Sequence, residues 1–364
     1  MSVPTGDTGT RRVMCPYCLD PLAFDPDRLY ALNEQRRYEP VDVSGEYNPI
    51  RRQDLLRTMY QKCVGTADMK EHYVPVPYLT HGEPLTVALV GGSAAGKTHL
   101  LAAMIGEVER GALGRHGLRA APLNAELHRR FVDERVRRLR EGTMLDHTEQ
   151  VHIDDFARFT DGLLIGGGRE TRPVVFFDLS GEDLERSDRV TRFLAGVSAF
   201  VFVVDPLRAL RLPYLDPVRE RNEQRETDLG DRAFGAVLDR IPRAGAYLDT
   251  PAAIVIGKSD LVRFEPPVDR WLGEHEDATP TPRTLREESR DAYAFLRHHA
   301  GPAWLKPFAE CARCTLHFVT ATGGERQGDG FPQGVRPRRA LTPLLSILAM
   351  CGLLPGIDPW EVGL

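Results

Sequence analysis

The chain has 364 residues, 42% apolar and 27% charged, with 47 basic and 52 acidic side chains giving a formal net charge of −5. That balance excludes recruitment to nucleic acid or an anionic membrane by bulk charge, and the composition is that of a globular protein with room for two or three domains. Six cysteines in so long a chain do not make a disulfide framework, and paired Cys-x-x-Cys in a reducing compartment points first to metal.

The opening MSVPTGDTGTRRVM has no apolar core of the kind a secretory leader needs. The longest apolar run, near Leu344 to Leu354, is too short to span a bilayer and reads as a packed helix. A cytoplasmic protein without a membrane span is the expectation.

Residues 1–82 differ in character from the rest. Cys15-Pro-Tyr-Cys18 is half of a zinc knuckle, and Cys63 and His72 supply a Cys₃His set. A competing pair, Cys311-Ala-Arg-Cys314, stands just before a strand whose start lies on the same sheet edge as the entry from the N-terminal segment. Either way the segment is short and polar, so bound Zn²⁺ would contribute much of its stability.

From Leu85 the pattern changes. Val87 to Val90 reads as a buried strand, and Leu100, Leu101, Met104, Ile105 and Val108 give a helix one apolar face. Between them, Gly91-Gly92-Ser93-Ala94-Ala95-Gly96-Lys97-Thr98 fits G-x-x-x-x-G-K-[ST] in its required strand–loop–helix setting, with His99 opening the helix. Such a loop turns its N–H groups inward as a nest for phosphate oxygens; Lys97 is placed to reach the β- and γ-phosphates and the Thr98 hydroxyl to ligate Mg²⁺.

Within Ala120 to Gly142, the segment LNAELHRRFVDERVRRLREG from Leu123 reads as one helix with Leu127, Phe131, Val132, Val136 and Leu139 inward. Its arginines are interleaved with Glu126, Asp133, Glu134 and Glu141, which favours a solvated face over a nucleic-acid surface. A Gly166-Gly167-Gly168 turn precedes the strand Val174 to Phe177, which ends in Asp178-Leu179-Ser180-Gly181-Glu182. An aspartate ending a strand beside a phosphate loop is placed to hold the Mg²⁺ shell, and Gly181 to offer its N–H to a γ-phosphate.

Three more apolar strands follow: Phe200 to Val204, Ala252 to Ile256 and Thr315 to Val319. The first ends at Asp205, which reads as a turn former. The second ends in Gly257-Lys258-Ser259-Asp260 and the third in Thr320-Ala321-Thr322. Excursions at 207–250 and 261–310 interrupt them, a glycine-rich loop at 323–334 reads as mobile, and an amphipathic helix over Ala340 to Leu353 closes the chain. Alternating strands and helices predict an α/β fold around a mostly parallel sheet, without an internal repeat.

GGSAAGKT, DLSG, GKSD and TAT along successive strands resemble the Ras-like, TRAFAC-class G domain over residues 83–364. The resemblance implies a Mg²⁺-dependent GTP/GDP switch. Gly91, Ser93, Ala94, Ala95, Gly96, Lys97, Thr98 and His99 would bind phosphates; Lys258, Asp260, Ala321 and Thr322 would bind the base. Asp178, Gly181 and Glu182 would carry the hydrolytic site with Lys97 and Thr98. A metal-sensing threonine would lie between the first two motifs, with Thr148 or Thr143 as candidates. The Asp260 carboxylate would select guanine by accepting from N1–H and the exocyclic amine together.

Gly257 stands where that family has Asn or Thr, which removes a tether between loops. Glu182 stands where many members have Gln, which predicts slow or partner-stimulated hydrolysis. CPYC, KCVG, HYVPVPYL, FFDLSGED and the closing LTPLLSILAMCGLL are more narrowly similar to the bacterial double-GTPase group, in which a zinc-binding N-terminus precedes the G domain. That implies a second GTPase or an effector as partner, in a regulatory or conflict system. A P-loop ATPase, or a nucleotide-binding scaffold without turnover, are the alternative functions.

Overall fold

The structure is a computed structural model that describes residues 11–35, 37–65, 71–145, 160–167, 170–179, 193–222, 230–243, 245–273 and 279–363. Its N-terminal part holds a hairpin, β1 (Arg12–Met14) and β2 (Pro21–Ala23). A small antiparallel sheet follows, built from β3 (Leu29–Leu32), β4 (Tyr38–Pro40), β5 (Tyr60–Lys62) and β6 (Tyr73–Pro75). The main sheet comprises β7 (Leu85–Val90), β8 (Arg119–Pro122), β9 (Asp161–Gly167), β10 (Glu170–Asp178), β11 (Ala199–Val204), β12 (Ala252–Ile256) and β13 (Cys314–Phe318). Its order is β13-β12-β11-β7-β10-β9-β8.

The neighbours from β13 through β10 pair in parallel, as the run of apolar strands predicts. At the other edge β9 and β8 pair antiparallel, and neither was legible as a strand. β9 forms a hairpin with β10 where the sequence showed only a glycine turn. β8 ends just before the stretch read as one helix from Leu123; that stretch is in fact Ala125–Phe131, a π-helical turn Val132–Arg137 and Arg138–Arg140. Its arginines pair along the surface with Glu126, Glu134 and Asp133, the solvated face expected of it.

Both faces of the parallel core are covered, so its strands are apolar at every position rather than at alternate ones. Ala88, Phe177, Phe202 and Ile254 face one cluster. Leu89, Phe176, Val203 and Val255 face another, beneath the helices Lys97–Glu109 and Thr342–Met350. The first cluster also takes in Val13, Leu22, Val74 and Tyr78, so the N-terminal part lies directly on the sheet. The closing helix, expected to be amphipathic, is buried from Pro343 through Met350, because the tail through Val362 wraps its outer side.

The chain visits β10 on one side of β7 before it crosses to β11 on the other. The carboxyl end of β7 is therefore a topological switch point, where open α/β sheets present their ligand crevice.

Candidate functional site

The phosphate-loop sequence occupies that switch point. Gly96 at φ 94° is in the left-handed region open to glycine, and it turns the chain straight into the helix Lys97–Glu109. Ala94 also has a positive φ, 60°, an uncommon state for a residue with a side chain and one found at functional turns. The Ala95 N–H donates to Gly92 O at 3.3 Å, and the buried Ala95 methyl packs inward, so Ala95 shapes the loop. Lys97 folds back over it, Nζ donating to Gly91 O at 2.8 Å and Gly92 O at 3.1 Å.

Parallel pairing of β10 with β7 sets Asp178 opposite Leu89, one residue short of the loop. The Thr98 hydroxyl donates to Asp178 Oδ2 at 2.5 Å. Two oxygen ligands meeting at the start of a phosphate-loop helix suit a hard cation such as Mg²⁺. Thr143, by contrast, pairs with Gly330 in an isolated bridge. Thr148, Gly181 and Glu182 lie outside the described residues.

The other end of the crevice is built after β12 and β13. Lys258 takes φ 46°, and its Nζ donates to Ala94 O at 3.0 Å and Asp205 Oδ2 at 2.8 Å. The loop-to-loop tether lost at Gly257 is thus supplied by the next residue. Asp205 is the turn former expected, accepting from Leu207 N at 3.1 Å, and also the anchor of Lys258. Asp260 Oδ1 accepts the Thr320 hydroxyl at 2.5 Å, and the Thr320 oxygen in turn accepts Gly323 N at 2.8 Å. Burial pushes the Asp260 carboxyl up. Thr322 closes its own turn, Oγ1 donating to Gly324 O at 3.1 Å, and Ala321 lines the crevice.

Behind Thr320, β13 is braced by a fully buried polar cluster. Glu288 accepts from Phe318 N at 3.1 Å, and its other oxygen meets His317 Nδ1 at 2.8 Å and Arg339 Nη2 at 2.7 Å. Burial alone would raise the Glu288 carboxyl, but His317 and Arg339 hold it below its ordinary range. Ser346 Oγ lies 3.1 Å from His317 Nε2, in the order of a nucleophile, base and acid. All three are at 0% exposure and none lines the crevice, so they brace the strand.

One cavity of about 970 Å³ runs between the two ends, touching Lys97, Thr98, Asp178, Lys258, Asp260 and Thr322. His99 closes its rim, Nε2 accepting from Leu145 N at 3.3 Å and the ring lying edge-on to Phe331. The glycine-rich loop read as mobile is pinned here, since Phe331 N donates to Gly142 O at 2.7 Å and Met144 N to Asp329 O at 2.9 Å.

Two wall residues escaped the sequence reading. Asp231 caps the helix Arg232–Leu238, Oδ1 accepting from Ala233 N at 2.8 Å, while Oδ2 accepts from Gly92 N at 2.7 Å. A capping aspartate before an apolar helical stretch is a readable signal; its reach to a loop 139 residues away is not. Arg208 lies against the same glycine, for a Cβ there would stand 2.0 Å from its Nη1.

The cysteine question resolves clearly. Cys15, Cys18, Cys63 and His72 bring their ligand atoms within 4.8 Å of one another, the one such group among the described residues. Cys18 Sγ lies 3.6 Å from Cys63 Sγ, and Cys15 Sγ lies 3.4 Å from His72 Nε2. Tetrahedral zinc with Zn–S near 2.3 Å sets sulfurs about 3.8 Å apart, so the set is compatible with zinc. Hydrogen bonds from the neighbouring thiols and His72 pull the Cys63 thiol well down. Cys311 and Cys314 are buried apart from this group, at the entrance of β13, and burial pushes both thiols up.

No protein-family model matches the chain, and no curated protein matches it. Among solved structures it is similar to the S. cerevisiae Ski7 GTPase-like domain bound to GTP, at TM-score 0.32 and 12% identity over 73% of this chain and 50% of that one. It is also similar to Sup35 complexed with GDP, at TM-score 0.24 and 13% identity over 69% of this chain and 43% of that one. The chain thus spans half or less of these structures' length, and the scores are too low to carry an argument about this site. No helix among the described residues is long and apolar enough to cross a membrane.

Proposed function

We propose that the chain is a Mg²⁺-dependent guanine-nucleotide switch that hydrolyses GTP slowly or on stimulation by a partner. The observation that carries this is the pairing of two specialised ends in one cavity: Thr98 on Asp178 at 2.5 Å, and Asp260 oriented by Thr320 at 2.5 Å. The first suits Mg²⁺ and phosphate, the second a base that presents two adjacent N–H donors.

In this reading the loop amides, Lys97 and Thr98 hold the phosphates. Asp178 supports the metal with Thr98, and Thr148 completes its shell in the bound state. Gly181 offers its N–H to the γ-phosphate and Glu182 orients water. Lys258 lies beneath the base, and Ala321 and Thr322 border it. Zn²⁺ held by Cys15, Cys18, Cys63 and His72 would fix the N-terminal part on the sheet. The output would pass to a second GTPase or an effector, the partner class that the motif resemblance implies.

Equilibrium titration with fluorescent GDP and ADP, each with Mg²⁺ and with EDTA, tests the reading. Guanine binding stronger than adenine binding by at least 10²-fold, and weakened by EDTA, is expected. Equal binding of the two bases would overturn it in favour of an ATPase.

A further inference from the structure

β13 lies at the edge of the main sheet, and its outer side is closed by side chains rather than by another strand. Backbone N–H groups of alternate residues point to the same side, so Leu316, Phe318 and Thr320 face outward together. The helix Pro282–His299 takes the first two. Ser289 Oγ accepts from Leu316 N at 3.0 Å, and Glu288 Oε1 accepts from Phe318 N at 3.1 Å. Thr320 N donates instead to Arg338 O at 3.1 Å, and Arg338 N returns a bond to Thr320 O at 2.9 Å. A short antiparallel bridge therefore extends the strand end to the point where the Thr320 hydroxyl meets Asp260.

The arm that carries Arg338 is fixed by its next residue. Arg339 takes φ 57°, a left-handed state that a residue with a side chain keeps only where its surroundings impose it. Its guanidinium turns inward, Nε donating to Glu288 Oε1 at 3.2 Å and Nη2 pairing with Glu288 Oε2 at 2.7 Å. Its Cζ lies 5.3 Å from the centre of the buried Trp271 ring. One carboxylate thus holds both sides of the bridge: the strand two residues before Thr320, and the arm one residue after Arg338. The arm also lies against the base loop, where Arg336 N donates to Thr322 O at 2.7 Å and a Cβ on Gly323 would collide with Arg336 O.

Burial makes this hold firm. The Glu288 side chain is 0% exposed and that of Arg339 10%, so water competes little for the pair, and contact through two nitrogens fixes the guanidinium plane as well as its distance. Asp260 is where such firmness matters. A carboxylate can meet a single N–H from many orientations, but it meets two adjacent N–H donors only in one plane. Thr320 sets that plane by donating to Oδ1, and Thr320 itself is set by the bridge.

We propose that Glu288 and Arg339 are positioning residues for base selection, holding the Thr320–Arg338 bridge so that Asp260 keeps the orientation that accepts from both N1–H and the exocyclic amine of guanine. This role rests on the guanine-nucleotide reading. Neither residue lines the cavity, so both act through Thr320. Hypoxanthine keeps N1–H and lacks the amine, which isolates the bond at stake. A loosened Asp260 loses the amine's bond first, and the two bases then bind alike.

Titrations with fluorescent GDP, inosine diphosphate and ADP test this on the parent, Glu288→Gln, Glu288→Gln with Arg339→Met, and Ser346→Ala. The parent should favour GDP over inosine diphosphate by at least about tenfold, the worth of one hydrogen bond to a charged group. The double variant leaves no buried charge unpaired, and its preference should fall to about threefold or less. Glu288→Gln alone should show the same fall together with a lower melting temperature, because it strands Arg339. Ser346→Ala cuts contacts to Thr315 Oγ1 at 3.0 Å and His317 Nε2 at 3.1 Å in the same cluster without touching Arg339. It should lower the melting temperature and keep the parental preference. A parental preference in the double variant, an equal fall in Ser346→Ala, or a parent that separates guanine from adenine but not from hypoxanthine would each overturn the proposal. A parent that binds GDP and ADP alike would instead overturn the nucleotide reading.

Discussion

Asp260→Asn tests the base end of the cavity most sharply, because the surroundings of that carboxylate dictate two opposite outcomes. Thr320 accepts from Gly323 N, so its hydroxyl hydrogen goes to Asp260 Oδ1. An asparagine at 260 must therefore turn its carbonyl oxygen to Thr320 and its amide N–H₂ into the cavity. Toward guanine, a charged acceptor for two N–H groups becomes a donor facing donors. Hydrogen bonds to charged groups contribute about 1.5–3 kcal/mol each, so losing two costs about 3–6 kcal/mol, or about 10²- to 10⁴-fold in GDP affinity. Toward xanthine, whose 2-oxo group replaces the amine, the new donor is complementary. Fluorescent GDP and XDP titrations on both proteins read the exchange. An Asp260→Asn protein that loses GDP without gaining XDP would refute the Thr320-directed orientation, and one that keeps GDP would refute the base site altogether. Burial pushes the Asp260 carboxyl up, and only the ionised form accepts from both donors, so GDP affinity should decline on acidification before ordinary carboxylates titrate.

Thr98→Ala removes the hydroxyl that meets Asp178 and should weaken nucleotide binding in Mg²⁺ at least tenfold while leaving binding in EDTA unchanged, as parallel titrations will show. Cys63→Ser, or chelation of the intact protein, should lower the melting temperature and release one zinc per chain by metal analysis; an unchanged transition would exclude a structural metal. His128 sits between Asp161 Oδ2 at 2.8 Å and Glu109 at 3.0 Å; burial alone would lower it, but these carboxylates push it up to about 9. Its contribution, about 3 kcal/mol, is complete below the unfolded histidine's value near 6.5 and fades as pH rises through 9; urea unfolding of His128→Gln against the parent from pH 6 to 10 should show the two converge, and parallel profiles would refute it. Asp205→Asn keeps the acceptor for Leu207 N but removes the charge that anchors Lys258, and should weaken GDP binding several-fold more than it lowers the melting temperature.

What was legible in the sequence was local. The strand–loop–helix around Lys97 and the strands ending at Asp178, Ile256 and Phe318 carry their own periodicity and punctuation. What was not legible depends on partners distant in the chain. β9 is a strand because β10 offers it an edge and β8 because β9 offers the next one, and β8 is exposed along its length, so it lacks the apolar run that marks a strand. The choice of Cys63 and His72 over Cys311 and Cys314 turned on which loops meet, and two similar Cys-x-x-Cys patterns could not decide that. Asp231 and Arg208 read as members of a charged excursion, yet both converge on Gly92.

Gly257 shows how such a distant contact can reverse a local inference. From the motif alone, glycine in place of Asn or Thr unties the base loop from the phosphate loop. Here Lys258 spans the gap, its ammonium spent on Ala94 O and Asp205 Oδ2. Its stem passes above Gly96, where a Cβ would lie 3.9 Å from Lys258 Cε. A lysine whose tip is fixed in this way holds its methylenes as a platform rather than sweeping a volume, so the side-chain entropy lost on covering a base is already spent in folding. The left-handed backbone at Lys258 is the geometry that makes the reach possible, and glycine before it leaves Val203 Cγ1 and Ala95 O room at 3.4 and 3.6 Å from where a Cβ would stand. A side chain at 257 would face Ala95 O and Val204 O, neither of which Lys258 uses. The tethered Lys258 thus joins the two loops without help from a side chain at 257.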